Sequence, residues 1–293
     1  IQTRLVKGAY WDGEVKRAQI MGRPDFPVFT TKAATDVHYL ACAKDLFRAS
    51  GAIFPQFATH NAHTVAAVRR MAATAGRTDF EFQRLHGMGE ALYLAVDPPP
   101  PVRVYAPVGG HEDLLPYLVR RLLENGANTS FVHSFLDDDV SPEVVAADPI
   151  ATLEANPHRH RRLPPPPQIF GASRRNSGGP DISITAERDA LANAKTPTPE
   201  KVSISDPAQA MTTALMAHED WNALGGTERA AVIREMGDIL QKNETALIAL
   251  TAKEAGRNLQ DSIDEVREAV DFCRFYAAEA ERLRHAPVIP VGE

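Results

Sequence analysis

The sequence predicts an α/β fold in which a parallel sheet precedes a helical segment. Over residues 1–135, short runs rich in β-branched and aromatic residues alternate with helical runs, which is typical of βα units. Turn-forming residues dominate positions 136–208, and helical periodicity returns over 209–285 in the last part of the chain, 209–293. These three observations divide the chain into a sheet domain, a connector and a helical domain.

The sheet domain is predicted to contain strands at 3–9, 53–59, 80–85 and 102–106, with helices at 14–20, 33–48, 62–75 and 114–125. In parallel α/β folds ligands bind where strands end, so the residues that follow each strand are the first candidates for a site. Four such strands make half of an eight-stranded barrel, and half a barrel has open edges. We therefore expect the chain to be an internal piece of a longer protein.

The helix predicted over 114–125 carries two adjacent arginines. Tyr117, Arg121 and Glu124 are three and four residues apart and share one side of the helix, with Arg120 on its flank. Two neighbouring guanidinium groups are most easily accommodated when a carboxylate or phosphate bridges them. The alternative is that both arginines are solvated or pair with nearby acidic residues.

The connector is poor in apolar residues that could pack, and it contains four consecutive prolines at 164–167 and a basic cluster at 158–162. The two histidines of this cluster are more often solvated than metal-bound at such a spacing. Helices are then predicted at 211–218, 227–242, 244–256 and 262–283, with Thr227 as the cap of the second.

The composition excludes several classes of protein. A net charge of -6 argues against a general nucleic-acid binder. Cys42 and Cys273 lie in predicted helices and form no metal-ligand spacing. The sequence contains no membrane-spanning apolar run, signal peptide, phosphate-binding loop, dinucleotide fingerprint or hydrolase motif. The pattern alone supports a barrel-type enzyme that holds an anionic ligand in the cytoplasm, with association at a membrane surface left open.

Five ordered motifs narrow this expectation. The residues at 4–11, 57–61, 81–89, 103–109 and 117–131 together resemble proline dehydrogenase and, more closely, the bifunctional proline utilisation A family. Residues 169–181 resemble the segment between the two enzymes of that family, and residues 221–283 are similar to the opening helices of its aldehyde dehydrogenase domain.

The resemblance implies the C-terminal half of a (βα)8 flavin barrel, then a linker and the first helices of an aldehyde dehydrogenase domain. The barrel would oxidise L-proline to pyrroline-5-carboxylate by hydride transfer to N5 of FAD. NAD would serve the truncated second domain of the parent protein. The parent is expected to be a homo-oligomer that passes electrons to a quinone or another acceptor, with attachment to the inner membrane left open.

Site residues are implied in the same way. Arg120 and Arg121 match the pair that grips the substrate carboxylate, Tyr105 and Tyr117 match the tyrosines that shape the pocket, and Leu85 matches its apolar wall. Arg4 matches the arginine that faces the flavin N5, and we name it as the catalytic residue. The FAD contacts implied are Arg4, Val6, Lys7, Trp11, Thr30, His60 and Glu124, and no metal is expected.

The sequence also departs from the family pattern. The family's early strands, which contribute a lysine, an aspartate and a glutamine to the site, have no match here, and Cys273 does not match the aldehyde dehydrogenase nucleophile. We therefore expect the isolated chain to be inactive. Two alternatives stay open: a scaffold or interaction piece, and a parent whose main role is NAD-dependent aldehyde oxidation or DNA-binding repression.

Overall fold

The computed structural model of the chain describes residues 1–8, 10–49, 51–125, 141–156, 158–196 and 206–284. The chain forms two compact units, which we treat separately. The first unit comprises Ile1–Trp11 and Val28–Leu163, and the second comprises Asp12–Pro27 and Pro164–Glu293. A short segment from within the sheet region thus belongs to the second unit.

The first unit contains a four-stranded parallel sheet with the strands in sequence order. Its strands are β1 (Gln2–Val6), β2 (Phe54–Ala58), β3 (Glu81–Leu85) and β4 (Val102–Tyr105). Its helices are α2 (Lys32–Arg48), α3 (Ala62–Thr74), α4 (Glu90–Leu94), α5 (His111–Asn125), α6 (Pro142–Val145) and α7 (Pro149–Ala155), while α1 (Trp11–Ile20) starts here and continues into the second unit. The predicted α/β fold is confirmed.

Alternation along the strands gives the sheet two different faces. One face packs on helices through a group of aromatic rings, in which Phe57 and Phe82 are fully buried. The ring centres of Phe47 and Phe57 lie 5.1 Å apart, a distance typical of favourable aromatic pairs. The opposite face, called the inner face below, carries the polar residues Gln56 and Glu81, which are register partners.

Local capping explains where α3 begins. The Asn61 side chain accepts a hydrogen bond of 2.9 Å from the Thr64 backbone N–H, which satisfies one of the unpaired donors of the first turn. Because only Thr59 and His60 separate Asn61 from the end of β2, this cap fixes the turn by which the chain leaves the sheet.

The second unit is helical. It contains a 3-10 turn at Pro166–Gln168 and the helices α8 (Thr185–Ala192), α9 (Pro207–Ala223), α10 (Gly225–Lys242), α11 (Glu244–Ala255) and α12 (Leu259–Arg284). Leu191, Ile248, Ile263 and Val266 form a buried apolar cluster between α8, α11 and α12. The prediction of Thr227 as a helix cap was wrong, because α10 begins at Gly225 and Thr227 lies within its first turn.

Part of the connector packs more tightly than its composition predicts. Asn176 and Ser177 are 5% and 0% exposed. The Ser177 hydroxyl and backbone N–H donate to the two carboxylate oxygens of Asp271 at 2.7 and 3.0 Å. The backbone of Gly178 exchanges two hydrogen bonds with the Gln241 side chain. Polar side chains of α10 and α12 therefore bury this segment by hydrogen bonding, which an apolar pattern does not reveal.

Candidate functional site

The carboxyl ends of the four strands meet at one edge of the sheet, because every neighbouring pair is parallel. Leu85 and Tyr105 are register partners at the ends of β3 and β4, and Val6 is the partner of Ala58 at the ends of β1 and β2. Register partners on parallel strands point to the same face. Several sequence-predicted residues therefore gather at this edge.

Arg4 and Tyr105 meet across the whole sheet. Their strands lie at opposite edges, three strand spacings or about 14 Å apart in a flat sheet. The Arg4 guanidinium carbon nevertheless lies 5.2 Å from the centre of the Tyr105 ring, which is a cation–π distance. The two side chains therefore lean towards each other over the inner face, and a cation and an aromatic ring share one side of the predicted pocket.

Lys7 directly follows β1, and its side chain lies on the face of the sheet that packs against helices, opposite to the inner face. Its ammonium is 2.5 Å from a carboxylate oxygen of Asp36, 3.4 Å from the Thr64 hydroxyl and 5.3 Å from the centre of the Tyr39 ring. Burial lowers the pKa of Lys7, against the opposing influence of Asp36. Burial raises the pKa of Asp36, but the charge and hydrogen bonds of Lys7 and Lys32 outweigh it and lower that pKa overall.

His60 links the ends of two strands. Its Nε2 accepts a hydrogen bond of 3.2 Å from the Leu85 backbone N–H, so the ring proton resides on Nδ1. Gly89 stands against the ring: a Cβ at this position would lie 2.9 Å from His60 Cδ2, and its φ of +67° also favours glycine. The imidazole is therefore held in one orientation beside Leu85, which is itself buried.

Three further predicted FAD contacts lie on the first unit. Val6 is 53% exposed at the end of β1. Trp11 was expected on the end of β1, but it is the first residue of α1. Its indole N–H donates a hydrogen bond to the Phe29 carbonyl at 2.8 Å. The Thr30 hydroxyl accepts a hydrogen bond from the His160 backbone N–H at 3.0 Å. Trp11 and Thr30, which flank the segment 12–27 in the sequence, are thus each fixed by a hydrogen bond.

The helix predicted to carry the substrate clamp is present as α5. Tyr117 is half-buried on it. The side chains of Arg120, Arg121 and Glu124 lie outside the described residues, although their backbone is helical. The arginine clamp therefore stays a prediction of the sequence.

The inner face also carries a group of polar residues for which no role was predicted. Glu81 and Gln83 are 8% and 2% exposed, and the Arg103 side chain binds both carboxylate oxygens of Glu81 at 2.6 and 2.9 Å. The signal in the sequence is the alternation of polar residues along β3, which is unusual for a strand covered on both faces. The hydrogen bond from Arg103 lowers the pKa of Glu81, so the carboxylate is charged.

The chain is similar to known proteins over its whole length. The proline dehydrogenase family model matches residues 1–134, and the aldehyde dehydrogenase family model matches residues 188–293. The bifunctional protein PutA of Klebsiella aerogenes is 38% identical over 99% of this chain, and that of Rhizobium meliloti is 41% identical over 100%. A crystal structure of bifunctional proline utilization A superposes with a TM-score of 0.90 at 44% identity over the whole chain, which covers 30% of that protein.

The chain belongs to the proline utilisation A family. It spans about a quarter of the length of the curated PutA relatives, since it covers 26% and 27% of the two named above. The PutA of Bdellovibrio bacteriovorus, solved after inactivation by N-propargylglycine, is 31% identical over 96% of the chain, with a TM-score of 0.78.

The start of α2 suits a phosphate-bearing group of the kind that a PutA flavin site requires. The buried Thr31 hydroxyl oxygen precedes this helix and has no hydrogen-bond partner within the described residues. The first turn of α2 contains Lys32 and no acidic residue, so it combines a free hydroxyl with the positive end of the helix dipole, and a phosphate here would compete with Asp36 of the next turn for the Lys32 ammonium. These residues fit a phosphate.

Within the described part of this PutA chain, no three His, Cys, Asp or Glu side chains cluster in a way that could hold a metal ion. No described helix combines the length and apolar character that crossing a membrane requires. In the second unit, a groove of about 710 Å³ is lined by Arg174, Phe170 and Phe275 among others, and none of the predicted proline or FAD residues lines it.

Proposed function

We propose that this chain contributes the C-terminal half of an FAD-dependent proline dehydrogenase barrel to a bifunctional protein that oxidises L-proline towards glutamate. The observation that carries the proposal is the contact between Arg4 and Tyr105 over the inner face of the sheet, with the guanidinium carbon 5.2 Å from the ring centre. The similarity of the whole chain to PutA proteins supports it.

In this proposal, α5 closes the pocket and its arginines bind the substrate. Arg120 and Arg121 donate paired hydrogen bonds to the proline carboxylate, for which the planar guanidinium is suited. Tyr105 and Tyr117 shape the pocket, and the buried Leu85 side chain forms its apolar wall. The ring of proline is thereby oriented with its reacting carbon in a dry environment.

The cofactor is held by residues at the strand ends and on the neighbouring helices. FAD, when bound, supplies the acceptor for the hydride that leaves proline. Arg4 places a positive charge beside the ring system and favours its reduced, anionic form. The other contacts proposed are Val6, Lys7, Trp11, Thr30, His60 and Glu124, and Thr31 and Lys32 extend this set at the start of α2.

No side chain of this chain is assigned a proton transfer. Hydride departure requires an amine that is neutral and well oriented, so positioning and electrostatics account for most of the acceleration. This assignment leaves Arg4 as the catalytic residue and makes the remaining residues binding and positioning groups.

We also propose the domain organisation and the second activity. Residues 1–135 form the barrel part, 136–208 the connector and 209–293 the start of an aldehyde dehydrogenase domain. The match of the aldehyde dehydrogenase family model to residues 188–293 supports the last of these. In the parent protein this domain uses NAD to oxidise glutamate semialdehyde.

The partners of the parent protein follow from the same proposal. It is a cytoplasmic homo-oligomer that passes electrons from the flavin to a quinone or another acceptor, and it associates with the inner-membrane surface. Nucleic acid is not bound through this acidic segment, whose net charge is -6.

Two preparations test the proposal. A protein of PutA length that carries this chain should bind one FAD, reduce a dye in the presence of proline and lose activity on treatment with N-propargylglycine. The isolated chain, purified with excess FAD, should show no proline-dependent dye reduction. Turnover by the isolated chain with stoichiometric FAD would overturn the half-barrel proposal, and a stable longer protein without FAD would favour a scaffold role.

A further inference from the structure

Four polar residues form a layer on the inner face of the sheet, which we call the polar floor: Gln56, Glu81, Gln83 and Arg103. Glu81 is its centre. The Oε1 atom of Glu81 accepts hydrogen bonds from Gln56 Nε2 at 2.7 Å, Gln83 Nε2 at 3.1 Å and Arg103 Nε at 2.6 Å. Its Oε2 atom accepts one from Arg103 Nη2 at 2.9 Å. A single charged carboxylate thus connects β2, β3 and β4.

The polar floor lies directly below the residues of the proposed site. Gln83 and Arg103 are register partners, and two residues further along the same strands are Leu85 and Tyr105. Two residues along a strand correspond to about 6.6 Å, and both pairs point to the same face. Gln83 and Arg103 are therefore one side-chain layer beneath the pocket wall, and Glu81 and Gln56 lie one layer further down, since Glu81 precedes Gln83 by two residues on β3.

Arg4 lies within reach of Glu81 but does not pair with it. The register partner of Arg4 is Gln56, whose own partner on β3 is Glu81. Two strand spacings, about 9.5 Å, separate the backbones of Arg4 and Glu81, a gap that their long side chains can span together. Instead the guanidinium of Arg4 lies at the Tyr105 ring.

The reason lies in Arg103. Its two hydrogen bonds occupy both oxygens of Glu81 and neutralise the charge, and the carboxylate remains ionised because its pKa is lowered. A buried carboxylate that loses its partner is strongly unfavourable and attracts the nearest cation. Within the described residues, Arg4 makes no ion pair and shares the inner face with Glu81, so it is the cation that can respond.

We propose that Arg103 is a positioning residue, which neutralises Glu81 so that this carboxylate does not draw Arg4 away from Tyr105 and the cofactor. The inference rests on the proposed function of Arg4. Neither Arg103 nor Glu81 needs to touch the substrate or the flavin. Their effect on the site is exerted through the position of one guanidinium group.

The first test uses the FAD-loaded protein of PutA length that carries this chain. Arg103→Met should raise the Kd for FAD by about tenfold, the loss of roughly one favourable charged contact, and shift the midpoint potential of the flavin. The double variant Glu81→Gln with Arg103→Met should restore both values, because no unpaired carboxylate remains to compete for Arg4. Arg103→Met with unchanged FAD affinity and potential, or a double variant as impaired as the single one, would overturn the proposal.

Arg48→Met provides the matched control. Arg48 pairs with Asp45 at 3.3 Å on the surface of α2, with side chains 68% and 72% exposed. Removing this arginine changes the net charge by the same amount as Arg103→Met but leaves the polar floor intact. A flavin potential that shifts equally in both variants would show a general charge effect and contradict the inference.

A second test needs neither flavin nor turnover. Urea unfolding of Arg4→Met, Glu81→Gln and the double variant should show no coupling between Arg4 and Glu81 when Arg103 is present. In the Arg103→Met background, the same cycle should show a coupling of about tenfold in the unfolding equilibrium constant. Absence of coupling in that background contradicts the inference, whereas absence of FAD binding and proline oxidation in the unsubstituted protein contradicts only the proposed function.

Discussion

The ammonium nitrogen of Lys7 lies 2.5 Å from a carboxylate oxygen of Asp36, an ion pair that joins the end of β1 to α2. Their side chains are 27% and 17% exposed, so the pair is largely shielded from water. Lys32 contacts the other oxygen of Asp36 at 2.6 Å and is more exposed, at 46%. One carboxylate therefore pairs with two lysines next to the start of a helix.

Asp36→Asn should destabilise the first unit, because Lys7 then retains a charge in a shielded position without a counterion. We expect a loss of about 1–3 kcal/mol in the free energy of unfolding, measured by urea denaturation. Lys32→Met removes the exposed partner of the same carboxylate and should cost less than about 1 kcal/mol. If both variants lose the same free energy of unfolding, the greater burial of Lys7 does not strengthen its ion pair with Asp36.

Replacing Lys7 separates its structural role from its proposed role in FAD binding. In the protein of PutA length, Lys7→Met should raise the Kd for FAD by about tenfold, because one charged contact with a phosphate is lost. Asp36→Asn should leave the FAD affinity equal or higher, since it frees the ammonium. If both variants lose stability and keep their FAD affinity, Lys7 serves only the ion pair. Titration of each flavin-free variant with FAD, followed by flavin fluorescence, gives these dissociation constants.

The contact between Arg4 and Tyr105 should depend on the aromatic ring and not on the hydroxyl. Tyr105→Phe keeps the ring face under Arg4, whereas Tyr105→Leu removes it. A double-mutant cycle with Arg4→Met should give a coupling free energy of about 0.5–1 kcal/mol for the leucine variant. The same cycle with Tyr105→Phe should give a coupling free energy close to zero, because the aromatic ring is retained. A coupling as large for Tyr105→Phe as for Tyr105→Leu would instead assign the interaction to the hydroxyl.

Gly22 should tolerate no side chain. A Cβ at this position would lie 1.7 Å from the Ser177 carbonyl oxygen, and the residue has a φ of +59°. Gly22→Ala should cost at least about 2 kcal/mol in the second unit, because clash and backbone strain add. Gly13→Ala on α1 is the control: its Cβ would meet no atom within 4 Å, and alanine is favoured in a helix. Thermal unfolding of both variants compares them directly.

The pair between Arg23 and Glu187 should make the second unit sensitive to acid. The two guanidinium nitrogens lie 2.6 and 2.5 Å from the two carboxylate oxygens, and this hydrogen bonding lowers the pKa of Glu187. Because the pKa is lower in the folded state, the stabilisation is complete above about pH 4.3, the unfolded value. It is lost as the pH falls through the folded pKa. The urea midpoint of Glu187→Gln should therefore depend less on pH between 5 and 3, and an unchanged pH dependence would contradict this assignment.

The sheet was predictable because its strands carry a strong local signal. All four predicted strands are present, with boundaries shifted by a few residues, since β-branched and aromatic runs between turn formers specify them. The short helix α4 was missed, because five residues contain too little periodicity to identify a helix. Thr227 illustrates the limit for boundaries, because α10 begins two residues before the expected cap.

The candidate site was less predictable than the fold. The position of Arg4 on the inner face of β1, and those of His60 and Tyr105 at or just beyond strand ends, follow from alternation and from the order of the motifs. The engagement of Lys7 with Asp36, and of Glu81 with Arg103, depends on which face each strand turns towards the helices. That choice is set by packing between segments far apart in the sequence, so local patterns do not contain it.

The segment 12–27 has a consequence for modularity. The two family matches are consecutive along the sequence, yet this segment lies within the first match and belongs to the second compact unit. Its Arg23 and Gln19 bind Glu187 and Asn176, which follow the first match. If the chain is divided between residues 163 and 164, the segment 12–27 stays covalently joined to the sheet but loses these hydrogen-bond partners. Exchange of either domain between relatives at a single junction should fail unless residues 12–27 are exchanged with the second unit.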